Sequence, residues 1–363
     1  MNGSVKLTKR FIENPYFTKG FPQDNGVDKV STDVEAVRKL LELCPKASRT
    51  PLASSIALAE KARVKNVWFK DERQRMGLGS FKALGAAYVI ANHASKIVLE
   101  NNNADDWKKA LNGKCYVTAS AGNHGLSLAA GARLFGAKAV IYLSKNVPSS
   151  FADKIKSYDA EVIIVGNSYE ESMDGAKKAA ADNNWILLSD VTWDGYDAGL
   201  KVMEGYLVAA AEAYEDCPEP PTHIFLQAGV GGFPAAMAAQ ARRHFGNEPK
   251  IIIVEPTEAP VLLESIQAGK GVEVQGGISI MGRLDCKVPS TLALSSLART
   301  CTHFMTITDD DAEECMKELE NEGLETSPSG GAGYAGLIDA KNYNESGLTE
   351  DSNVMLFLTE EPA

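Results

Sequence analysis

The chain has 363 residues and is 44% hydrophobic and 23% charged, close to the average of soluble globular proteins. This balance excludes a disordered or fibrous protein, and the length predicts two domains because it exceeds what one hydrophobic core usually serves. The formal charge of −11 argues against nucleic acid and anionic membrane surfaces as partners. No apolar run approaches the roughly 18 residues that span a bilayer, and no signal peptide is recognisable, so we expect a cytoplasmic protein.

Short β-branched runs alternate with Ala-rich stretches along the chain, which predicts an α/β fold with right-handed crossovers. Most strand candidates are continuous apolar runs, as expected for strands buried on both faces of a parallel sheet. The predicted strands are 66–70, 114–118, 139–143, 162–165, 186–188, 223–227, 251–255 and 354–358. The predicted helices are 81–93, 125–135, 150–156, 169–183, 198–214, 233–245 and 310–321.

No low-complexity linker separates the two expected domains, so we predict that they are interwoven, each a mostly parallel twisted sheet flanked by helices. The large domain is predicted to comprise 1–82 and 195–363, and the small domain 83–194. The polar, Asn-rich segment 100–113 interrupts the alternation and is predicted to be a surface excursion.

The six cysteines are widely scattered, and none forms a CxxC pair or a ligand-spaced cluster with histidine. We therefore predict no metal site. In a reducing compartment these thiols are expected to be small core residues or surface thiols.

The segment 70–88, KDERQRMGLGSFKALGAAY, predicts a strand end, a glycine-bearing loop and a helix that opens with Lys82. A lysine is electrostatically misplaced at a helix start, where the dipole favours anions, and apolar neighbours such as Phe81 disfavour its charge further. A deprotonated amine is what Schiff-base chemistry requires, so Lys82 is a candidate nucleophile. An ordinary solvated lysine is the alternative.

Two further turns join a predicted strand to a predicted helix. In TASAGNHGLSLAAGA, at 118–132, free backbone N–H groups at the helix mouth suit a carboxylate, and simple N-capping by Asn123 is the alternative. In FLQAGVGGFPAAMAAQ, at 225–240, the glycines suit a phosphate. A dinucleotide fingerprint would need glycine where Pro234 stands, although Glu255 falls where its acidic ribose partner belongs.

Together these motifs resemble the fold type II pyridoxal phosphate enzymes, the superfamily of tryptophan synthase β and threonine dehydratase. The matching strings are TPL at 50–52, KDE at 70–72, GSFK at 79–82, SAGNHG at 120–125 and AGVGG at 228–232, in the family's order. Within that superfamily the chain is most similar to the diaminopropionate ammonia-lyases, with WDGY at 193–196 as the least generic string. The resemblance implies pyridoxal 5′-phosphate as cofactor, a small amino acid as substrate and a homodimer.

For the cofactor, the resemblance implies that Lys82 holds it covalently and that Asn123 contacts its 3′-oxygen. Thr359 is expected to face the pyridine nitrogen, with a strand-end threonine of no special role as the alternative. Backbone N–H groups of four residues are expected to cradle the phosphate: Gly229, Val230, Gly231 and Gly232.

For the substrate, the resemblance implies that the freed Lys82 removes the Cα proton. Asp190 aligns with an active-site aspartate of the lyases and, with Tyr196, is a candidate for contact with the β-substituent; a turn aspartate is the alternative. The residues expected to bind the substrate are Ser120, Ala121, Gly122, His124 and Tyr196.

One departure from the lyases concerns Ala121. The lyases carry an aspartate directly before GNHG, which is expected to take the α-proton of the D-substrate, whereas Ser120 and Ala121 match serine and threonine dehydratases.

Three hypotheses for the function follow. The first is an ammonia-lyase that eliminates a β-substituent to give a 2-oxo acid and ammonia. The second is a 3-hydroxy amino acid dehydratase or racemase, and the third a binding protein without catalysis.

Overall fold

The computed structural model describes residues 8–24, 30–100, 107–120, 122–147, 149–193 and 195–362. These residues divide into two units. The first is drawn from Met1–Thr32, Arg49–Gln74 and Ala209–Ala363, and the second from Asp33–Ser48 and Arg75–Val208.

The strands, in chain order, are β1 (Phe11–Glu13), β2 (Leu52–Ser54), β3 (Asn66–Asp71), β4 (Cys115–Ala119), β5 (Lys138–Leu143), β6 (Glu161–Ile164), β7 (Ile186–Leu187), β8 (His223–Gln227), β9 (Lys250–Pro256), β10 (His303–Ile307) and β11 (Asn353–Leu358). The helices are α1 (Val34–Leu41), α2 (Ile56–Ala62), α3 (Gly85–Glu100), α4 (Asn123–Leu134), α5 (Ser149–Lys156), α6 (Tyr169–Asn183), α7 (Ala198–Asp216), α8 (Gly232–Phe245), α9 (Val261–Ala268), α10 (Thr291–Thr300), α11 (Asp309–Asn321) and α12 (Pro328–Ala340).

The first unit is built on a sheet in the order β1-β10-β9-β8-β11-β3-β2. Its five central strands are parallel, and the two edge strands pair antiparallel. The central strands are largely buried, and the largely buried helix α12 packs against them. Because parallel strands need crossover connections, their carboxyl ends share one edge with the helix starts that follow them.

The second unit is built on a parallel sheet in the order β6-β5-β4-β7. Helices α4 and α6 pack on its central strands, and the apolar cluster between α6 and the sheet includes Val117, Val140 and Ala176. The expected α/β class, with mostly parallel sheets flanked by helices, is confirmed.

The structure adds elements that the sequence pattern did not predict. Strands β1 and β2 are three-residue edge strands, and β10 (HFMTI) carries polar residues that break the apolar run. Helix α12 (PSGGAGYAGLIDA) forms despite its glycines because its small residues allow close packing; a Cβ on Gly336 would lie 2.5 Å from Val254. The helix expected at 81–93 begins instead with a 3₁₀ turn, Phe81–Leu84, before α3.

The unit boundaries fall elsewhere than at the predicted 1–82 plus 195–363 and 83–194. Residues 75–82 belong to the second unit because the 3₁₀ turn that carries Lys82 packs against α4. Residues 33–48 join it through α1, which packs against α3, and α7 begins in the second unit and ends in the first. The sequence showed no composition shift at these crossings. Residues 101–106 of the expected surface excursion lie outside the described residues.

In the described part of the chain, no helix is long and apolar enough to cross a membrane. The cysteines are all free thiols, and no group of three or more potential ligands is placed to hold a metal ion among the residues described.

A buried ionic network in the first unit explains three residues of the TPL and KDE strings, Thr50, Lys70 and Glu72. Lys70 Nζ lies 2.7 Å from Glu212 Oε2 and donates to the Thr50 carbonyl at 2.7 Å. The Thr50 hydroxyl donates to Glu72 Oε1 at 2.6 Å, and Lys70 and Glu72 are fully buried. Buried charges are costly unless paired, so these residues fix the end of β3 next to the segment that leads to Lys82.

Two buried histidines predict how the stability of the fold depends on pH. Burial lowers the pKa of His223 to about 4 and that of His303 to about 4. The unfolded chain therefore binds more protons than the folded one between pH 4 and about 6.5. We expect the free energy of unfolding to fall as pH drops through this window, by roughly 2–3 kcal/mol for each histidine.

The measurement is urea unfolding at pH 7 and pH 4.5. His223→Gln keeps a side-chain N–H for the Ser346 carbonyl, and it should make the loss of stability between pH 7 and pH 4.5 smaller. The control His244→Gln replaces an exposed histidine and should leave it unchanged. Equal pH dependence in all three proteins would contradict this account.

Candidate active site

Several polar residues of the second unit lie at the carboxyl ends of β4 and β7. These strands pair in parallel, with Tyr116 opposite Ile186 and Val117 opposite Leu187. The segment after β4 contains Ser120 and leads into α4, and the segment after β7 leads to Asp190. The buried His124 ties the two together, because its Nε2 donates to the Leu188 carbonyl at 2.9 Å.

Lys82 forms an ion pair with Asp190, 108 residues away in the chain. Lys82 lies in the 3₁₀ turn capped by Ser80, whose buried hydroxyl accepts from the Lys82 backbone N–H at 3.3 Å. The side chain of Lys82 is 29% exposed and that of Asp190 is 17% exposed. The structure thus holds the predicted nucleophile against the predicted aspartate.

The charges around Asp190 favour its ionised form. Burial alone would raise the pKa of Asp190, but the Lys82 ammonium holds it well below its ordinary value. Burial lowers the pKa of His124, so that ring stays neutral. Since its Nε2 donates to a carbonyl, its Nδ1 carries the lone pair, and this atom has no partner among the described residues.

The start of α4 has the features of an anion site. Its N-cap is Gly122, which has no side chain to cap the helix, and Asn123 is already the first helical residue. A Cβ on Gly125 would lie 2.7 Å from the Ser120 carbonyl, which explains a glycine there. Ala121 lies outside the described residues. The first N–H groups of a helix lack acceptors within the helix, so the start of this twelve-residue helix can bind a carboxylate.

Tyr196 supports the Asp190 segment. Its hydroxyl accepts from the Ser189 N–H at 2.8 Å and donates to the Leu187 carbonyl at 3.2 Å. Its ring stacks on Trp193 with centroids 4.1 Å apart. The WDGY string therefore holds the backbone that presents Asp190, and contact of Tyr196 with a substrate stays a prediction.

Tyr206, which the sequence analysis did not select, belongs to the same neighbourhood. Its ring packs edge-on against Phe81 with centroids 4.8 Å apart, and a Cβ on Gly85 would lie 2.9 Å from its hydroxyl. The hydroxyl is buried and has no partner among the described residues; burial and the charge of Asp190 raise its pKa. Only the tertiary structure reveals this, because nothing in the surrounding sequence marks the tyrosine.

In the first unit, the glycine loop predicted to cradle a phosphate follows β8 and leads into α8. Gly231 is the N-cap of the fourteen-residue helix α8, with φ of +103° and no side-chain cap. A Cβ there would lie 3.1 Å from Leu297, and one on Gly229 would lie 3.0 Å from the Arg283 carbonyl. The N–H groups at the start of α8, which begins at Gly232, and that of Val230 before it are therefore available to an anion such as a phosphate.

Thr359, directly after β11, is buried at the same edge of this sheet. Its Oγ1 accepts from Gln227 Nε2 at 3.3 Å, and its backbone N–H donates to the Gly330 carbonyl at 3.3 Å. In the described part of the chain the Thr359 hydroxyl proton has no acceptor of its own. The hydroxyl can therefore donate to a neutral ring nitrogen.

Glu255, the possible ribose partner of a dinucleotide, has a different task. Its carboxylate accepts from the Leu262 and Leu263 N–H groups at 2.7 and 2.8 Å, which caps α9. The side chain is fully buried, and burial raises its pKa to about 8. Because the side chain is fully buried at the start of α9, it is not accessible to a ribose.

The comparisons with known proteins agree with this geometry. Residues 43–360 match the family model described as pyridoxal-phosphate dependent enzyme. The chain is 31% identical to the diaminopropionate ammonia-lyase of Salmonella typhimurium, over 91% of this chain and 89% of that protein. It is 26% identical to the catabolic L-threonine dehydratase of Staphylococcus aureus, over 90% of this chain and 87% of that protein.

A solved structure is also similar. The crystal structure of diaminopropionate ammonia lyase from Escherichia coli in complex with an aminoacrylate-PLP azomethine reaction intermediate matches with a TM-score of 0.85 and 27% identity. The match covers 98% of this chain and 94% of that one.

The Lys82–Asp190 pair predicts how loss of the lysine alone changes the stability of the protein at different pH values. Lys82→Met leaves a largely buried carboxylate without its cation, so the pKa of Asp190 should rise above its unfolded value. We expect the free energy of unfolding at pH 7.5 to fall by about 1–2 kcal/mol and to recover as pH drops toward 4.5. Lys82→Met combined with Asp190→Asn should recover most of the loss at pH 7.5.

Urea unfolding of the wild-type protein, both single variants and the double variant, at pH 4.5 and 7.5, is the measurement. A Lys82→Met protein whose stability deficit does not depend on pH would show that Asp190 is not paired with Lys82 in solution.

Proposed function

This chain belongs to the family of pyridoxal-phosphate dependent enzymes and is an ammonia-lyase, and we propose that it acts on 2,3-diaminopropionate or a similar small β-substituted amino acid. The products are a 2-oxo acid and ammonia. The observation that carries this proposal is the candidate nucleophile Lys82 held against Asp190, within a chain that matches a diaminopropionate ammonia-lyase over nine-tenths of its length.

The described residues fit pyridoxal phosphate. The glycine cradle at the uncapped start of α8 suits the phosphate, and the free proton of Thr359 suits an unprotonated pyridine nitrogen. We propose that Lys82 holds the cofactor covalently and that Asn123 contacts its 3′-oxygen. When bound, the cofactor supplies an electron sink that acidifies the Cα proton of the amino acid and promotes loss of the β-substituent.

The side chains of the second unit then have separate tasks. The Lys82 amine removes the Cα proton, and Asp190 beside it holds the amine in place and faces the β-ammonium group, which leaves as neutral ammonia without taking up a further proton. The start of α4, with Ser120, Gly122 and His124, binds the substrate carboxylate. A β-ammonium group is attracted by the ionised Asp190, which favours an amine over a hydroxyl as leaving group.

A second candidate is a 3-hydroxy amino acid dehydratase or racemase. The Ser120–Ala121 string and the similarity to a threonine dehydratase favour it. In that case Asp190 has no β-ammonium to bind. We rank it second because that relative is less similar to this chain than the lyase is.

The proposal also includes a homodimer that works in the cytoplasm. Analytical ultracentrifugation of the holoenzyme tests the first point, and fractionation of the source cells tests the second. A monomer at working concentration would remove the dimer from the proposal without affecting the chemistry.

Release of 2-oxo acid from a substrate panel tests the proposed function. We expect turnover of diaminopropionate to exceed that of serine, threonine and 3-hydroxyaspartate, because only diaminopropionate carries a β-ammonium for Asp190. Lys82→Ala should abolish turnover, since it removes both the covalent link and the base. A dehydratase would prefer the hydroxy amino acids, and near-normal turnover by Lys82→Ala would refute the assignment altogether.

Gly231→Val should weaken binding of pyridoxal phosphate by at least about tenfold, because a side chain strains the left-handed backbone and pushes the cradle away from the phosphate. The control Gly246→Val carries similar backbone strain at φ of +63°, with nothing within 4 Å, and should bind normally. Absorbance titration of the apoenzymes measures both affinities. Equal affinity in the two variants would place the phosphate elsewhere.

The enzyme is expected to act on the L-enantiomer only. Lys82 serves one face of the substrate, and Ala121 cannot accept a proton on the other. Lack of a positioned base typically costs about 10²–10⁴ in rate. Kinetics with pure L- and D-diaminopropionate measure the difference, and comparable kcat/KM values would show that another group serves the second face. Gain of D-activity by Ala121→Asp would support the argument directly.

A further inference from the structure

One buried amide side chain joins three chain segments beside Thr359. Gln227 is the last residue of β8 and is 2% exposed. Its Nε2 donates to the Gly330 carbonyl at 2.7 Å, the Phe357 carbonyl at 3.0 Å and Thr359 Oγ1 at 3.3 Å. These contacts link the end of β8 to the start of α12 and to the end of β11.

The surroundings allow only one orientation of this amide. The Gly330 and Phe357 carbonyls can only accept hydrogen bonds, so the nitrogen of Gln227 must face them. The opposite atom, Oε1, is buried without a partner among the described residues, and a Cβ on Gly333 would lie 3.0 Å from it. A buried acceptor left unpaired costs free energy, which the bonds on the nitrogen side must offset.

The orientation of Gln227 determines what the Thr359 hydroxyl can do. The two protons of the amide nitrogen are shared among the Gly330 carbonyl, the Phe357 carbonyl and Thr359 Oγ1, so Oγ1 accepts from Gln227 and does not donate to it. The Thr359 proton has no acceptor in the described part of the chain. A ring nitrogen with a free lone pair is the acceptor that such a hydroxyl suits.

We propose that Gln227 is a positioning residue that keeps the Thr359 hydroxyl as a hydrogen-bond donor to the pyridine nitrogen of the cofactor. This inference rests on the proposed function and adds a residue to its site. Without the amide, the Gly330 and Phe357 carbonyls each lose the hydrogen bond from Gln227, and the Gly330 carbonyl keeps only the one from the Thr359 N–H. The Thr359 hydroxyl then turns to them, and the ring nitrogen loses its partner.

The experiment is a double-substitution cycle read by cofactor affinity. Apoenzymes of the wild type, Gln227→Met, Thr359→Val and the double variant are titrated with pyridoxal phosphate. The same proteins are titrated with an analogue that has carbon in place of the ring nitrogen. The matched control is Gln240→Met, which removes a 4% exposed glutamine whose Nε2 donates to the Thr32 carbonyl at 2.9 Å.

We expect each single variant to bind pyridoxal phosphate about five- to tenfold more weakly, the cost of one lost hydrogen bond. The double variant should be no weaker than either, because both changes remove the same contact. The carbon analogue should bind all four proteins alike, and Gln240→Met should bind like the wild type. If Gln227→Met does not fold, Gln227→Glu serves, because its carboxyl has at most one proton for three acceptors.

Three results overturn the inference: unchanged affinity in Gln227→Met, multiplicative losses in the double variant, or equal losses with the carbon analogue. The first two are compatible with the proposed function as long as Thr359→Val still binds weakly. Failure of the wild-type protein to bind pyridoxal phosphate at all would instead refute the proposed function.

Discussion

The parallel sheet of each unit is the constraint on which the rest of the structure depends. Parallel strands must be joined by crossovers, so their carboxyl ends and the helix starts that follow meet at one edge. In the second unit this edge carries Ser120 and Asp190, after β4 and β7. In the first it carries the cradle of Gly231, after β8, and Thr359, after β11. Free N–H groups and polar side chains are therefore concentrated where anionic groups of a cofactor and a substrate can be bound.

We propose that the ion pair between Lys82 and Asp190 makes the sheet edge of the second unit a reactive site. The partly exposed amine is available for covalent chemistry, while the less exposed carboxylate keeps it in place. The charge of Asp190 acts on two neighbouring groups, the neutral His124 and the Tyr206 hydroxyl, which has no hydrogen-bond partner among the described residues. A substrate with a second ammonium group is the natural complement of that carboxylate.

Short-range features of the site were predictable from the sequence, and long-range ones were not. Lys82 in GSFK and the glycines of AGVGG stand out because each string sits between a strand and a helix. The pairing of Lys82 with Asp190 spans 108 residues, and no local pattern indicates it. Gln227 and Tyr206 are visible only through burial and hydrogen bonding. Glu255 is a case in which spacing alone was misleading: its position suited a ribose partner, but the fold uses its side chain to cap a helix. Edge strands such as β2 were not predictable from the sequence, because three residues are too few to show a hydrophobic periodicity.

The central claim is that Lys82 is the residue that carries pyridoxal phosphate. Reduction of the cofactor-loaded protein with borohydride fixes the cofactor to its lysine, and mass spectrometry of the resulting peptides identifies that residue. The account predicts a single pyridoxyl group on Lys82, lost when diaminopropionate is present in excess during reduction. Modification of another lysine, such as the fully buried Lys70, or scattered labelling of surface lysines would contradict it.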